Sequence, residues 1–352
     1  MHLRERFFSA SLLSAIVFLL FFSFAPAQTV LRERWREKLR ERIQKKETKD
    51  DLGKNDYHFI LEHGGLARKY NIHLPPQYNK NIPTPIVIYL HGGGGSLRAA
   101  YLDGMDEASD KFGFILVVPA GTGPVQDRLL TWNAGKWLPG KGKEGIESCC
   151  GYAAKNNIDD VDFISKMIEE IKNNFNVDIN RIYVTGISNG GIMSYRLACE
   201  LSDKIAAIAP VAPPAVPANC VPGRAVSVMH IHGTVDPCAP YNGGISGGCL
   251  GTEKREGQSA QQMVDIWKNI NKCSGGCVIA YQKGDVTCIS YNKCVGHSEV
   301  EFCTIEGGGH TWPSGSQYLP ADRVGPVSFD ISFDQIWEFF KKHPKKITGP
   351  EL

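Results

Sequence analysis

The run Gly186-Ile187-Ser188-Asn189-Gly190 constrains the fold of this chain more than any other feature, because it joins two different backbone patterns within five residues. Before it stands Arg181-Ile182-Tyr183-Val184-Thr185, a strand-forming stretch, and after it the sequence opens a helix-like segment. So abrupt a strand-to-helix turn needs glycines on both sides, since a Cβ there would meet neighbouring backbone. The residue between them is held in a strained conformation with its side chain exposed at the helix N-terminus. Ser188 is therefore the candidate nucleophile.

The remaining patterns supply a sheet around this turn. Residues 57–62 and 69–73 read as two strands of a hairpin through His63-Gly64-Gly65. Continuous apolar runs at 86–90, 114–118, 205–211 and 225–231 suit strands buried on both faces of a mostly parallel sheet, and 299–305 reads as a late strand. Val161, Ile164, Ile168, Ile171 and Phe175 recur at helical spacing behind a capping Asp159 or Asp160. Further helices are expected at 258–271 and 333–342, the last stopped before Pro344. Such alternation indicates a single α/β catalytic domain, with helices on both faces of the sheet.

The expected organisation is a signal peptide at 1–27, a basic arm and linker at 28–55, the catalytic domain at 56–345 and a tail at 346–352. Arg4 and Arg6, the apolar stretch 12–24 and Ala25-Pro26-Ala27 carry the signal reading, with cleavage before Gln28. An uncleaved anchor is the rival reading; with cleavage, no membrane span is left and the protein is secreted, to the periplasm or outside the cell. In the arm, residues 31–47 hold eight Lys or Arg against four Glu. That excess allows weak contact with an anionic surface, although the interspersed acids favour a solvated helix. The whole chain carries a formal net charge of +2, which points to neither nucleic acid nor an acidic polymer as partner.

All eleven cysteines lie between Cys149 and Cys303, and in an exported chain disulfides are the default. Cys273, Cys277 and His297 match no standard zinc spacing. The expected pairs are Cys238 with Cys249, bracing a glycine-rich loop, then Cys273 with Cys294 and Cys277 with Cys288; other connectivities stay open. An odd count leaves at least one thiol over or shared between chains.

A serine nucleophile needs a base and a group that orients the base. Asp236, in His232-Gly233-Thr234-Val235-Asp236-Pro237, follows one strand, and His310, in Gly307-Gly308-Gly309-His310-Thr311-Trp312-Pro313, follows another. Serine, acid, histidine is the chain order of α/β hydrolases. His230 and His232 read as structural imidazoles of a central strand, and His91 as the organiser of its own loop. That loop, His91-Gly92-Gly93-Gly94-Gly95-Ser96, ends a strand and can aim an N–H at a developing oxyanion. Gly93 and Asn189 are the expected donors. Trp132 and Trp312 are the candidate apolar walls for a substrate acyl group.

Together these blocks, with Trp132-Asn133-Ala134-Gly135, Cys149-Cys150-Gly151, Asp159-Asp160-Val161 and Ser188-Asn189-Gly190-Gly191, resemble the secreted polyhydroxybutyrate depolymerase-like and feruloyl esterase-like α/β hydrolases, related to carbohydrate esterase family one. The resemblance spans about residues 55–342. It implies Ser188 as nucleophile, Asp236 as acid and His310 as base, in ester hydrolysis through an acyl-enzyme with no metal or organic cofactor. Polyester depolymerases usually carry a polymer-binding module, which is not evident after the last helix. Soluble oligomers or small esters are therefore the expected substrates, with feruloyl or acetylxylan esters of plant polysaccharide as the alternative. A peptidase or acyltransferase on the same fold would use the same groups.

Overall fold

The computed structural model describes residues 55–137, 147–148, 150–249 and 254–345. The expected signal peptide, the basic arm and the tail at 346–352 lie outside the described residues. The strands of the main sheet, in chain order, are β1 (Asp56–His63), β2 (Leu66–His73), β3 (Thr84–Leu90), β4 (Ile115–Pro119), β5 (Val177–Ile187), β6 (Ala207–Val211), β7 (Ser227–Gly233), β8 (Val278–Lys283), β9 (Val286–Tyr291) and β10 (Val300–Ile305). Across the sheet they run β1-β2-β4-β3-β5-β6-β7-β10-β9-β8. The central strands from β4 to β10 pair in parallel, and the antiparallel pairs β1/β2 and β9/β8 close the two edges.

Period-two alternation in a strand sends successive side chains to opposite faces, and here both faces are dry. From β3, Ile86, Ile88 and Leu90 enter one core while Val87 and Tyr89 enter the other. Helices α2 (Asp160–Asn174), α3 (Asn189–Glu200) and α4 (Ala260–Ile270) cover the first face through Ile164, Ile168, Ile192, Leu197, Met263 and Trp267. Helices α1 (Met105–Phe112) and α5 (Phe333–Lys342) cover the second through Met105, Ile336, Trp337 and Phe340. Asp159 caps α2 by accepting from the Asp162 amide at 3.0 Å. Capping boxes at Ser259 with Gln262 and Ser332 with Gln335 start α4 and α5. Among the described residues, no helix is long and apolar enough to cross a membrane.

Disulfides whose two cysteines are both among the described residues include Cys199–Cys220, Cys238–Cys249, Cys273–Cys294 and Cys288–Cys303. Cys150 is disulfide-bonded as well. The expected Cys277–Cys288 pair is corrected. Cys288 faces Cys303 across the β9/β10 ladder, with 3.9 Å between Cα atoms, whereas Cys277 is an exposed free thiol. The β8/β9 hairpin went unread in the sequence, and the pairing depends on it.

Candidate active site

The glycine loop, Ser188, Asp236 and His310 follow β3, β5, β7 and β10, so the sheet gathers them at the carboxyl ends of its parallel strands. Ser188 adopts φ 58°, ψ −118°, a left-handed conformation that costs on the order of 1–3 kcal/mol and is held by the packing around it. Its amide donates to Val211 O at 2.9 Å. Glycine at 190 is obligatory, because a Cβ there would lie 2.1 Å from Leu90 O and 2.6 Å from His91 O. The elbow helix thus starts in direct contact with the end of β3.

The glycine loop folds back over the elbow. A Cβ on Gly92 would stand 3.6 Å from Ser188 Cβ, and one on Gly93 would stand 3.6 Å from Asn189 Cβ. The Gly94 amide donates to Leu130 O at 2.8 Å and the Gly95 amide to Gly92 O at 3.0 Å, which removes both as oxyanion donors. His91 is buried beneath the loop. Its Nε2 accepts from the Gly121 amide at 3.1 Å, so the proton sits on Nδ1 and is donated to Gly92 O at 2.8 Å. Burial pushes its pKa down to about 4, against the Gly92 bond and with help from the Arg68 charge. His91 remains a neutral brace.

The segment 122–131 forms a finger beside this loop. Thr122 and Thr131 exchange both backbone bonds, at 3.0 and 2.8 Å, and the Leu130 amide donates to Gly95 O at 3.2 Å. Val125 bridges Arg128 across the turn of the finger, and Leu129 on its returning arm is exposed, with φ 53°.

Asp236 and His310 are buried and bonded to each other. His310 Nδ1–H donates to Asp236 Oδ2 at 2.7 Å, while Asp236 Oδ1 accepts from the amides of Cys238 and Ala239, each at 2.8 Å. Burial raises the proton affinity of this carboxyl, but the His310 charge and hydrogen bond, the adjacent His232 imidazole and the Ala239 amide outweigh it and hold the pKa below the usual range. The two loops interlock where the Val235 amide donates to Gly308 O at 3.1 Å. Cys238–Cys249 braces the acid turn, as its short glycine-rich loop suggested, and both sulfurs lie within 4.8 Å of a His310 ring nitrogen. Tyr318 donates to His310 O at 3.0 Å and its hydroxyl lies 3.5 Å from Cys249 Sγ.

The clusters Cys238/Cys249/His310 and Cys288/Glu301/Cys303 have the compactness of metal sites, but in each the sulfurs form a disulfide and offer no thiolate. The sites of Trp132 and Trp312 differ from the expected substrate walls. Trp132 is 0% exposed: its indole N–H donates to His91 O at 3.0 Å, and its backbone exchanges bonds with the Asn189 amide side chain at 2.7 and 3.1 Å. Trp312 is 1% exposed and packs edge-on against Tyr89 with centroids 5.1 Å apart. Both indoles build the floor under the loops. The sequence reading treated His232 as purely structural and did not single out Tyr318, although the i, i+4 spacing of His232 and Asp236 was a usable signal.

A sequence profile of the phospholipase/carboxylesterase family matches residues 77–247. Feruloyl esterase B of Piromyces equi is 29% identical over 258 residues, covering 69% of this chain and 42% of that protein. Feruloyl esterase D of Neurospora crassa is 26% identical, covering 79% of this chain and 83% of that one. This chain is similar to feruloyl esterases and to other carboxylic ester hydrolases. The acetyl xylan esterase from Aspergillus awamori shares the fold of this chain, with a TM-score of 0.55 at 13% identity over 81% of this chain and 99% of that chain. The chain spans less than half the length of its Piromyces relative.

Proposed function

We propose that the protein is a secreted serine esterase in which Ser188, His310 and Asp236 act as a triad on carboxylic esters of plant polysaccharide, feruloyl or acetyl. The observation that carries this reading is the strained Ser188 elbow at the same sheet edge as the 2.7 Å bond between His310 and Asp236. In this reading His310 Nε2 takes the Ser188 proton as the hydroxyl attacks the ester carbonyl, and Asp236 holds Nδ1–H and stabilises the imidazolium. The tetrahedral oxyanion is received by the amides of Asn189 and Gly93, the latter beside two glycines whose N–H groups are already engaged. Water then releases the acid from the acyl-enzyme by the same proton path. Export is supported by the disulfides.

The names of the relatives move the substrate from hydroxybutyrate oligomers, the first expectation, toward polysaccharide esters. A panel of methyl ferulate, acetylated xylo-oligosaccharide and hydroxybutyrate trimer separates the readings, and the expected order of kcat/KM places an ester of the first two kinds on top. Ser188→Ala is expected to abolish turnover and labelling by a serine-directed phosphonate while the far-ultraviolet circular dichroism is unchanged. Stoichiometric labelling at another serine would overturn the assignment.

A further inference from the structure

The turn that carries Asp236 is reached from inside the molecule by three buried groups in a row, Tyr195, His230 and His232. Tyr195 Oη lies 2.6 Å from His230 Nδ1, His230 Nε2 lies 3.2 Å from His232 Nδ1, and His232 Nε2 lies 2.7 Å from Ala239 O. The last contact fixes the protons of the whole row. A carbonyl only accepts, so His232 carries its proton on Nε2 and its Nδ1 accepts from His230 Nε2–H. His230 Nδ1 then accepts from the Tyr195 hydroxyl. Every donor in the row points toward the acid turn, and His232 Nε2 also stands 3.5 Å from Asp236 Oδ2, the oxygen that accepts from His310.

We propose that His232 is a positioning residue for the Asp236–His310 pair. Locked by Tyr195 and His230 as the neutral Nε2–H tautomer, it ties down the carbonyl of Ala239 and turns the positive end of its N–H dipole toward Asp236 Oδ2 at 3.5 Å. The proposal rests on the reading of Asp236 and His310 as acid and base. Its chemical content is a balance at one oxygen: the dipole of a neutral imidazole steadies the carboxylate, whereas a charged one would compete with the His310 cation for it. The row is built to stay neutral. Burial pushes His230 well below its ordinary range, with the neighbouring His232 adding to the effect, and burial lowers His232 despite the Asp236 charge and the Ala239 carbonyl. The titratable groups facing this assembly are His310, His232 and Tyr318 around Asp236, Asp103 beyond Tyr318, and Tyr195 beside His230, with the Tyr241 ring packed on His232.

The test pairs two variants with one measurement on the wild type. His232→Gln keeps a side-chain N–H near the place of Nε2, and His232→Leu removes it. In the leucine variant kcat is expected to fall about 10–100-fold, the scale found when a partner that orients an active-site ligand is removed. KM is expected to hold, and the acid limb of kcat/KM to move to higher pH, because a carboxylate without the imidazole dipole beside it grips the His310 cation harder. The glutamine variant is expected to restore most of the turnover and the original limb. A merely structural role would lower kcat without moving the limb. An unmoved limb in the leucine variant, or equal behaviour of the two variants, overturns the proposal. Nitrogen-15 spectra of the wild type decide the matter should the leucine variant not fold: His232 is expected as the neutral Nε2–H form throughout about pH 5 to 8, the range where an ordinary imidazole titrates. A protonated or Nδ1–H His232 in that range refutes it. Full turnover in Asp236→Asn would instead remove the acid assignment itself, whatever tautomer His232 shows.

Discussion

Replacing Asp236 by asparagine changes one oxygen into an amide nitrogen, and the surroundings dictate which one. Oδ1 accepts from two backbone amides, those of Cys238 and Ala239, and only the carbonyl end of an asparagine can do so. The NH2 group is therefore forced into the place of Oδ2, facing His310 Nδ1 at the present 2.7 Å and His232 Nε2 at 3.5 Å. A donor facing Nδ1 selects the other tautomer of His310, with the proton on Nε2, where it cannot take a proton from Ser188. In the analogous protease triad the same exchange lowers kcat about 10⁴-fold, and a similar loss is expected here, equivalent to about 5.4 kcal/mol of transition-state stabilisation. The Oδ1 bonds survive, so thermal unfolding is expected to shift far less than for a broken core. Initial rates on a chromogenic ester, normalised to folded protein, measure the effect. Turnover within tenfold of wild type, or a loss confined to KM, would falsify the tautomer argument and require another acid.

Removing the Cys238–Cys249 bridge with two serines opens a loop of sequence separation 11, which costs about 3 kcal/mol on the chain-entropy scale, and it also loosens the His310 side of the site. Urea unfolding and activity on one preparation check this; unchanged stability with full turnover would show that the bridge braces nothing. His91 gives a pH signature. Its pKa is about 4 in the fold against 6.5 unfolded, so its stabilisation is complete above pH 6.5 and is lost as pH falls toward 4, by about 3 kcal/mol. Burial raises Asp103 to about 7, and burial with the Glu299 charge raises Glu301 to about 7; both act in the opposite sense over that range. The readout is therefore the difference between wild type and His91→Gln in urea midpoints from pH 4 to 7, which is expected to narrow steadily as pH falls; a constant difference would refute the assignment.

The central strands were legible because burial on both faces writes an uninterrupted apolar run, as at Ile86 to Leu90, which the structure extends only to Thr84. The elbow was legible for a different reason: its glycines are demanded by backbone contacts, and Gly190 touches the end of β3 whatever the neighbouring side chains are. The β8 strand was not, because Val278, Ile279 and Ala280 are all exposed and its edge position imposes no alternation. Helix α1 was missed likewise, with Met105, Ala108 and Ser109 its only buried residues. Trp132 and Trp312 were misjudged because nearness in sequence to a site residue does not say which side of the loop an indole occupies. Trp132 went inward, where its N–H finds the carbonyl of His91.

The finger at 122–131 has a practical meaning for altering this molecule. Its base is riveted to the glycine loop through Gly94, Gly95 and Leu130, and the next residue, Trp132, is clamped by Asn189 of the elbow helix. At its outer end Pro124, Gln126, Arg128 and Leu129 are exposed while Asp127 is held by the Lys69 ammonium at 2.5 Å, and a doubling of loop length adds only about 0.6 kcal/mol. The glycine loop and the finger therefore meet at a seam. A library confined to residues 124–126 and 128–129 would recut the outer end of the finger while leaving the glycine loop and the elbow untouched.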